Sequence, residues 1–445
     1  MKTTALLLLA TSLTTAVGAA FAQDDAGLQS FNIGTADVIP GDVSRFDGDI
    51  LVTDTVVTGA AADGRILIGQ MILEDSAILD ALSLASMGEC AAEDATGEVL
   101  LGDIQLVSDG DTISGSGRTP ESITIDRMYA DVSIAGCMIS VSGAFREAVL
   151  ESVAGDTMGV SAGEYVYVGG SDTAQARYEI RMSQLSFDGP DGNPVGMSLE
   201  EVHLVARGAA ARPSIDGGSL ESGFDLADII AAGNSATEEF GIRFSGLDID
   251  VDTFLSESDR EDLGLMDVDR ISGGGVMAAK LADGQIEMRF GADIPELVVG
   301  EYRARLALPE DGVEVPGMIA DRVPLPPEML GMKLIEITGS FNDHGIGAVM
   351  ERTIGLTPES AITLVSAPIL EKVGRLASQG TVDMTEQAID VMVDISRNGG
   401  SFMIAPEDPV SFIEIGIKAL MQPGAMQNFL GATAAVADAS GVSAD

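Results

Sequence analysis

Ile180-Arg181-Met182-Ser183-Gln184-Leu185-Ser186-Phe187-Asp188 alternates apolar and polar residues, and its apolar phase slips by one at Ser183-Gln184. Ile242-Arg243-Phe244-Ser245-Gly246-Leu247-Asp248-Ile249-Asp250, which begins 62 residues later, repeats the pattern and slips at the same place, Ser245-Gly246. Alternation at period two is the mark of a strand with one dry face and one wet face. A slip of one residue exchanges the faces, so each copy needs a bulge or a bend at that point. A looser echo, Ile286, Met288 and Phe290 followed by Gly291-Ala292, keeps the alternation without the slip. The reading is a tandem of degenerate sheet units; two copies are too few for a solenoid.

Working outward, Leu247, Ile249 and Val251 continue the alternation against Asp248, Asp250 and Asp252. Ile389, Val391, Val393 and Ile395 alternate with Asp390, Met392 and Asp394, which predicts strands over Thr381–Thr385 and Ala388–Ser396. Turn signals separate the runs: Asp47-Gly48, Asp109-Gly110, the stretch Asp188 to Pro194, Asp283-Gly284 and Asn398-Gly399-Gly400. Many short alternating runs punctuated in this way predict a mainly β chain with an elongated, curved antiparallel sheet, half-pipe or sandwich-like. Helical punctuation is sparse and predicts a few short helices: Phe224–Ala232, Thr253–Leu263, one starting at Thr357-Pro358-Glu359, and an apolar C-terminal segment capped by Asp408-Pro409 and broken at Pro423. The expected organisation is a signal peptide (1–22), an N-terminal β region (23–170), a central sheet with the degenerate repeat (171–315), a C-terminal β-plus-helix lobe (316–432) that begins at four prolines between Pro316 and Pro327, and a frayed tail (433–445).

The chain has 445 residues, with 70 Asp and Glu against 24 Lys and Arg and a formal charge of −46. Hydrophobic residues are nonetheless 46% of the total and mean hydropathy is +0.26, so it folds rather than forming an acidic coil. Such a charge repels polyphosphate and excludes nucleic acid as a partner. Met1-Lys2, the apolar run Ala5 to Ala10, and Ala20-Phe21-Ala22 before Gln23 read as a secretory signal cut after Ala22, which predicts export, to the periplasm first and the extracellular space second. No later segment is apolar for long enough to span a bilayer, so no transmembrane segment is expected in the mature chain. Cys90 and Cys137 are the only cysteines, and an oxidising compartment allows one disulfide between them; the other reading is two separate buried thiols.

Residues that carry chemistry are scarce: two His, two Cys and no Trp. Gly159-Val160-Ser161-Ala162-Gly163 matches the nucleophile-elbow pattern, yet Glu164-Tyr165-Val166-Tyr167-Val168 after it reads as a strand where an elbow needs a helix. His203 falls in the wet phase of its strand with Glu201 and Arg207, and His344 in a turn. Asp248, Asp250, Asp252 and Asp259 mimic the spacing of a calcium loop, but Thr253 stands where the tight turn needs Gly. No catalytic residue, no metal ligand and no cofactor is assigned.

The leader, the alternating strands with bulge-like slips and the C-terminal helix together resemble the AsmA-like and TamB-like periplasmic proteins of bacterial envelopes, over about residues 120 to 430. The resemblance is one of style and carries no diagnostic residue string; the absence of a membrane helix after cleavage departs from the larger members. It implies a sheet whose apolar face shelters lipid. On that reading Ile180, Met182, Leu185, Phe187, Ile242, Phe244, Leu247, Ile249 and Val251 line the ligand surface of a non-enzymatic envelope protein with lipid or envelope proteins as partners. The competing reading is a structural or interaction module whose apolar face packs against its own second layer. A secreted hydrolase and a calcium-dependent surface protein come last.

Overall fold

A computed structural model of the chain describes residues 31–33, 36–46, 49–58, 64–73, 94–108, 120–152, 155–170, 176–189, 192, 194–208, 238–263, 265–308, 331–376 and 379–436. The expected signal peptide, Cys90, the helix at Phe224–Ala232 and the prolines between Pro316 and Pro327 lie outside these residues. The molecule is mainly β and antiparallel, with a few helices, and divides into two compact units, Met1–Gly223 and Phe224–Asp445.

The first unit contains β1 (Phe31–Ile33), β2 (Ala36–Ile39), β3 (Val43–Phe46), β4 (Asp49–Thr58), β5 (Gly64–Leu73), β6 (Ala95–Ser108), β7 (Pro120–Ala135), β8 (Met138–Ser152), β9 (Thr157–Gly170), β10 (Arg177–Asp188) and β11 (Pro194–Arg207). From β4 to β11 each strand pairs antiparallel with the next, as hairpin-linked strands do. On its other side β4 pairs with both β2 and β3, and β1 pairs with β2. The inward phase forms one core that includes Ile68, Ile104, Ile125, Phe145, Tyr165 and Ile180, and no buried member is more than 4% exposed. Rings lie flat over glycines of the facing strand: a Cβ at Gly163 would run into the Phe145 ring, and one at Gly143 into the Tyr165 ring. The Tyr165 hydroxyl, buried with them, donates to the Tyr129 carbonyl at 3.1 Å.

A phase slip crosses this whole sheet. Between two inward residues, two successive residues turn outward in each strand: Val52 to Thr55, Ile68 to Met71, Leu101 to Ile104, Ile125 to Met128, Phe145 to Ala148, Val160 to Gly163, Met182 to Leu185 and Leu199 to Val202. The register aligns them into one row, Thr55–Ile68–Ile104–Ile125–Ala148–Val160–Leu185–Leu199. In alternate strands the slip is taken up by a left-handed residue: Asp54 (φ 54°), Asp103 (φ 53°), Glu147 (φ 53°) and Gln184 (φ 53°). The expected irregularity at Ser183-Gln184 is thus one segment of a seam eight strands wide.

The second unit runs β12 (Glu238–Asp250), α1 (Val251–Phe254), α2 (Glu257–Asp262), β13 (Arg270–Ala282), β14 (Gln285–Ile294), β15 (Val298–Ala307), β16 (Lys333–Asp343), α3 (Ile346–Ile354), α4 (Pro358–Leu376), α5 (Gln379–Asn398), β17 (Gly400–Ile404), β18 (Val410–Ser411), α6 (Phe412–Met421), α7 (Met426–Leu430) and β19 (Thr433–Val436). Strands β12 to β17 pair in order, β19 adds to β17, and β18 pairs with β16. The slip at Ser245-Gly246 is a bulge: the β12–β13 register shifts between Phe244 and Leu247, and Gly246 holds φ 60°. Asp283 and Gly284 at φ 52° and 69° form the expected two-residue hairpin turn between β13 and β14.

Several readings from sequence differ from the structure. The segment read as strands Thr381–Thr385 and Ala388–Ser396 is helix α5, packed antiparallel on α4 with its Arg397 bound to Glu359 at 2.8 Å. Only Glu386-Gln387 separates the two supposed strands, which is no turn, and Gly399 (φ 79°), read as part of a hairpin, ends the helix by donating its N–H to the Ile395 carbonyl at 2.8 Å. Val251 opens α1 instead of extending the strand, because Asp250 caps it by accepting from the Thr253 N–H. The predicted Thr253–Leu263 helix is broken in two at Ser256, which caps α2, and the C-terminal α6 is capped by Ser411 rather than Asp408, in a reciprocal capping box with Glu414. Thr433–Val436, assigned to a frayed tail, pair with β17.

Candidate functional site

In the second unit the two faces of the sheet differ sharply. The wet face carries a ladder of ion pairs, Arg289–Glu301 at 2.7 Å, Arg303–Glu287 at 2.9 Å and Arg305–Glu336 at 2.7 Å. The opposite face is apolar and is covered at both ends. At one end Leu281, Ile286, Leu306 and Leu334 lie under Phe412 and Ile415 of α6 and Leu430 of α7. At the other, Ile249 and Ile271 pack with Val251, Leu263, Leu265 and Val349.

Between these ends the face is open over β13, β14 and β15. Register places Ile242, Met277, Phe290, Tyr302, Gly339 and Phe402 in one row across six strands. Cross-strand partners share a face, so this row belongs to the apolar side, yet Met277 is 41%, Phe290 45% and Tyr302 36% exposed. Phe290 and Tyr302 meet with ring centroids 6.3 Å apart and planes tilted by 45°. The Phe244 ring lies over Gly275, where a Cβ would come within 2.5 Å of it, and the Phe402 ring lies over Gly339. Glycine here lets a ring lie down on the backbone, giving a flat apolar floor. Desolvation on this floor pushes the Tyr302 hydroxyl pKa up, so the group stays neutral.

The nine residues proposed from sequence are divided by the structure. Ile180, Met182 and Leu185 are buried in the core of the first unit, with Phe187 packed against it. Leu247 and Val251 are buried and Ile249 is half-buried, at a covered end of the second sheet. Ile242, half-buried, belongs to the open row, and Phe244, also half-buried, lies beside it with its ring over Gly275. Met277, Phe290 and Tyr302 were not in the set. Phe290 lay in the slip-free echo, and Tyr302 was legible from Tyr302, Ala304 and Leu306 alternating with Glu301, Arg303 and Arg305. Met277 is hidden by the run Gly273-Gly274-Gly275, which breaks the alternation.

The remaining motifs acquire ordinary roles. Ser161 lies mid-strand in β9, with its hydroxyl donating to the Gln184 carbonyl at 3.4 Å. His203 is on the wet face, its Nε2 2.9 Å from Glu179, which Arg177 also binds; desolvation pushes the Glu179 carboxyl up, but the hydrogen bonds with Arg177 and His203 outweigh it and hold the carboxyl below its usual range. His344 lies in the turn after β16. Asp248 binds Arg270, Asp250 caps α1, Asp252 binds Arg260, and Asp259 binds Arg352 and Ser256, so each is committed to its own partner. Among the described residues no group of three or more His, Cys, Asp or Glu is placed to hold a metal, and no helix is long and apolar enough to cross a membrane. Cys137 sits half-buried at the β7–β8 turn, and its expected partner Cys90 lies outside the described residues. Comparison with protein-family models and with curated proteins finds no match to this chain.

Proposed function

We propose that this is a non-enzymatic, exported envelope protein that binds or shields an apolar ligand, a lipid chain being the simplest, on the open row of the second unit's sheet. The observation that carries this reading is the exposure of Met277, Phe290 and Tyr302 on the side of the sheet patterned for burial, between two ends that helices and loops do cover. A contiguous apolar surface of this kind on a chain of charge −46 is an interaction surface rather than a packing remnant. Export to the periplasm rests on the leader read at residues 1–22, and kinship with AsmA-like proteins rests on strand style alone. The structural-module reading is favoured for the first unit, where the middle of the apolar face forms a buried core.

The test is organic extraction of the full chain purified without detergent from its native compartment, followed by mass spectrometry of the extract. An apolar molecule in stoichiometric amount from the wild type, lost in Met277→Asp, supports the reading. An extract empty from the start, or unchanged in the variant, overturns it.

A further inference from the structure

The outward face of the first unit carries a second feature, independent of the proposed lipid surface. Where the seam crosses β5 to β8, a depression of about 600 Å³ opens over Gly102 and Ala144, within the range of about 300–1,000 Å³ in which small-molecule sites fall. Its floor is apolar: the register sets Ile72, Leu100, Tyr129 and Ala144 in one row. Leu100 is 42% exposed there, and the Tyr129 ring is anchored by its hydroxyl, which donates to Asp131 at 2.5 Å.

The seam gives this floor a crowded polar border. Because two successive residues of each strand turn outward, hydrogen-bonding side chains stand side by side along it: Gln70 on β5, Asp103 on β6, Asp126 and Arg127 on β7, Arg146 and Glu147 on β8. Asp103 and Glu147 both hold left-handed backbone, φ 53°, where glycine would sit without strain. Strain kept in place of a relieving glycine is characteristic of functional sites.

The charges in this border compensate one another. Arg127 has Asp126 at 3.5 Å. Arg146 is followed by Glu147, and Glu164 on β9 is the cross-strand partner of Ala144, which sets it diagonally beside Arg146, within reach of long side chains. An anion meets no free positive charge here, and a cation meets guanidiniums among the carboxylates. What the border offers is hydrogen bonding in both senses, since guanidiniums donate, carboxylates accept and the Gln70 amide does both.

We infer that this depression binds an uncharged saccharide, its hydroxyls bonded by the border and the C–H face of a sugar ring laid on Leu100 and Ala144. A hydroxyl donates and accepts at once, which matches a border of mixed donors and acceptors, and its bonds to charged partners are of the stronger kind. A pyranose presents C–H groups on one face and hydroxyls around its edge, the same arrangement as an apolar floor inside a polar rim.

The test is titration calorimetry of the full chain with maltotriose, cellotriose and triacetylchitotriose. At least one is expected to bind saturably, with an affinity that changes by less than about twofold between about 0.05 and 0.5 M NaCl, because the ligand has no charge to screen. Ala144→Gln, at an exposed strand position, fills the depression and should weaken binding by about tenfold or more. Arg146→Gln, also at an exposed side chain, should weaken it by about tenfold, the worth of one charge-assisted bond. Val149→Gln, exposed on the same face outside the depression, should leave it unchanged. No saturable binding of any of the three sugars, binding that survives both Ala144→Gln and Arg146→Gln, or tighter binding of galacturonic acid or glucosamine trimers than of the neutral ones overturns the inference.

Discussion

Replacing Gln184 tests the seam where it was first read. Gln184 is exposed and uncharged, holds φ 53° in the middle of β10, and uses only its backbone carbonyl, which accepts from Ser161. Left-handed backbone costs an L-residue about 1–2 kcal/mol through the clash of Cβ with the following carbonyl oxygen, and a β-branched side chain suffers more. Gln184→Gly removes that clash but adds about 0.5–1 kcal/mol of unfolded-chain entropy to be lost, so it should be neutral or mildly stabilising. Gln184→Val would ordinarily favour a strand; here it should destabilise by about 1–2 kcal/mol relative to Gln. The glycine and valine variants should thus differ by about 2 kcal/mol. Ala162→Val, on the paired β9 at an exposed position with ordinary backbone, is the control and should be neutral or favourable. The assay is urea unfolding followed by far-UV circular dichroism, comparing midpoints at constant slope. Glu147 or Asp103 would be a poorer choice, because removing a carboxylate from a chain of charge −46 stabilises it for another reason. If Gln184→Val and Gln184→Gly fall within 0.5 kcal/mol, a threshold set by the usual scatter of surface substitutions at about that size, the left-handed seam is not what accommodates the slip.

Three further outcomes are expected, the first two from the sequence and the third from the structure. Non-reducing mass mapping of protein from its native compartment should recover a Cys90–Cys137 peptide, and reduction should cost about 4 kcal/mol in the chain-entropy model; two free thiols contradict it. The melting temperature should rise from low salt to about 0.5 M NaCl, as screening within about 10 Å at 0.1 M relieves self-repulsion; a flat or falling profile removes that contribution. Hydrogen bonds from the Ser411 backbone N–H and hydroxyl lower the Glu414 pKa, so its stabilisation of α6 is complete above the unfolded value near 4.3 and is lost as pH falls through the lower folded value. Glu414→Gln should lessen the loss of stability as pH falls below the unfolded value, and Ser411→Ala should cost about 1 kcal/mol at neutral pH; an unchanged acid profile in Glu414→Gln contradicts the first.

How far the chain could be read from its sequence depended on whether local pattern and tertiary context agreed. Ile180 to Asp188 and Ile242 to Asp250 showed both the strand and the slip, because a bulge is recorded in the sequence as two polar residues between apolar ones. The other strands of the seam carry the same apolar-polar-polar-apolar signature less cleanly: Gly69 and Gly102 are neither apolar nor polar, and Gly163 stands at an inward position. Helix α5 was misread because Ile389, Val391, Val393 and Ile395 are β-branched and evenly spaced, while the inward helical stripe, Thr381, Thr385, Ile389, Val393 and Ser396, is made largely of small polar residues that do not read as apolar. The candidate site was half legible. Period-two alternation tells which residues share a face, but only the positions of α1, α3, α6 and α7 decide which part of that face is covered, and no local pattern encodes them.

On the proposed function, the row through Phe290 is a surface for an apolar ligand, whereas the row through Leu185 is a closed core. Native mass spectrometry of detergent-free wild type, Phe290→Asp and Leu185→Asp puts both halves to one measurement. At Phe290, 45% exposed, a carboxylate stays hydrated; at Leu185, 3% exposed, it is buried unpaired at several kcal/mol. The expected result is a wild type carrying bound apolar mass, a folded Phe290→Asp protein stripped of it, and a Leu185→Asp protein that is not recovered folded. A bare wild type, or a Phe290→Asp protein that keeps the full bound mass, contradicts it.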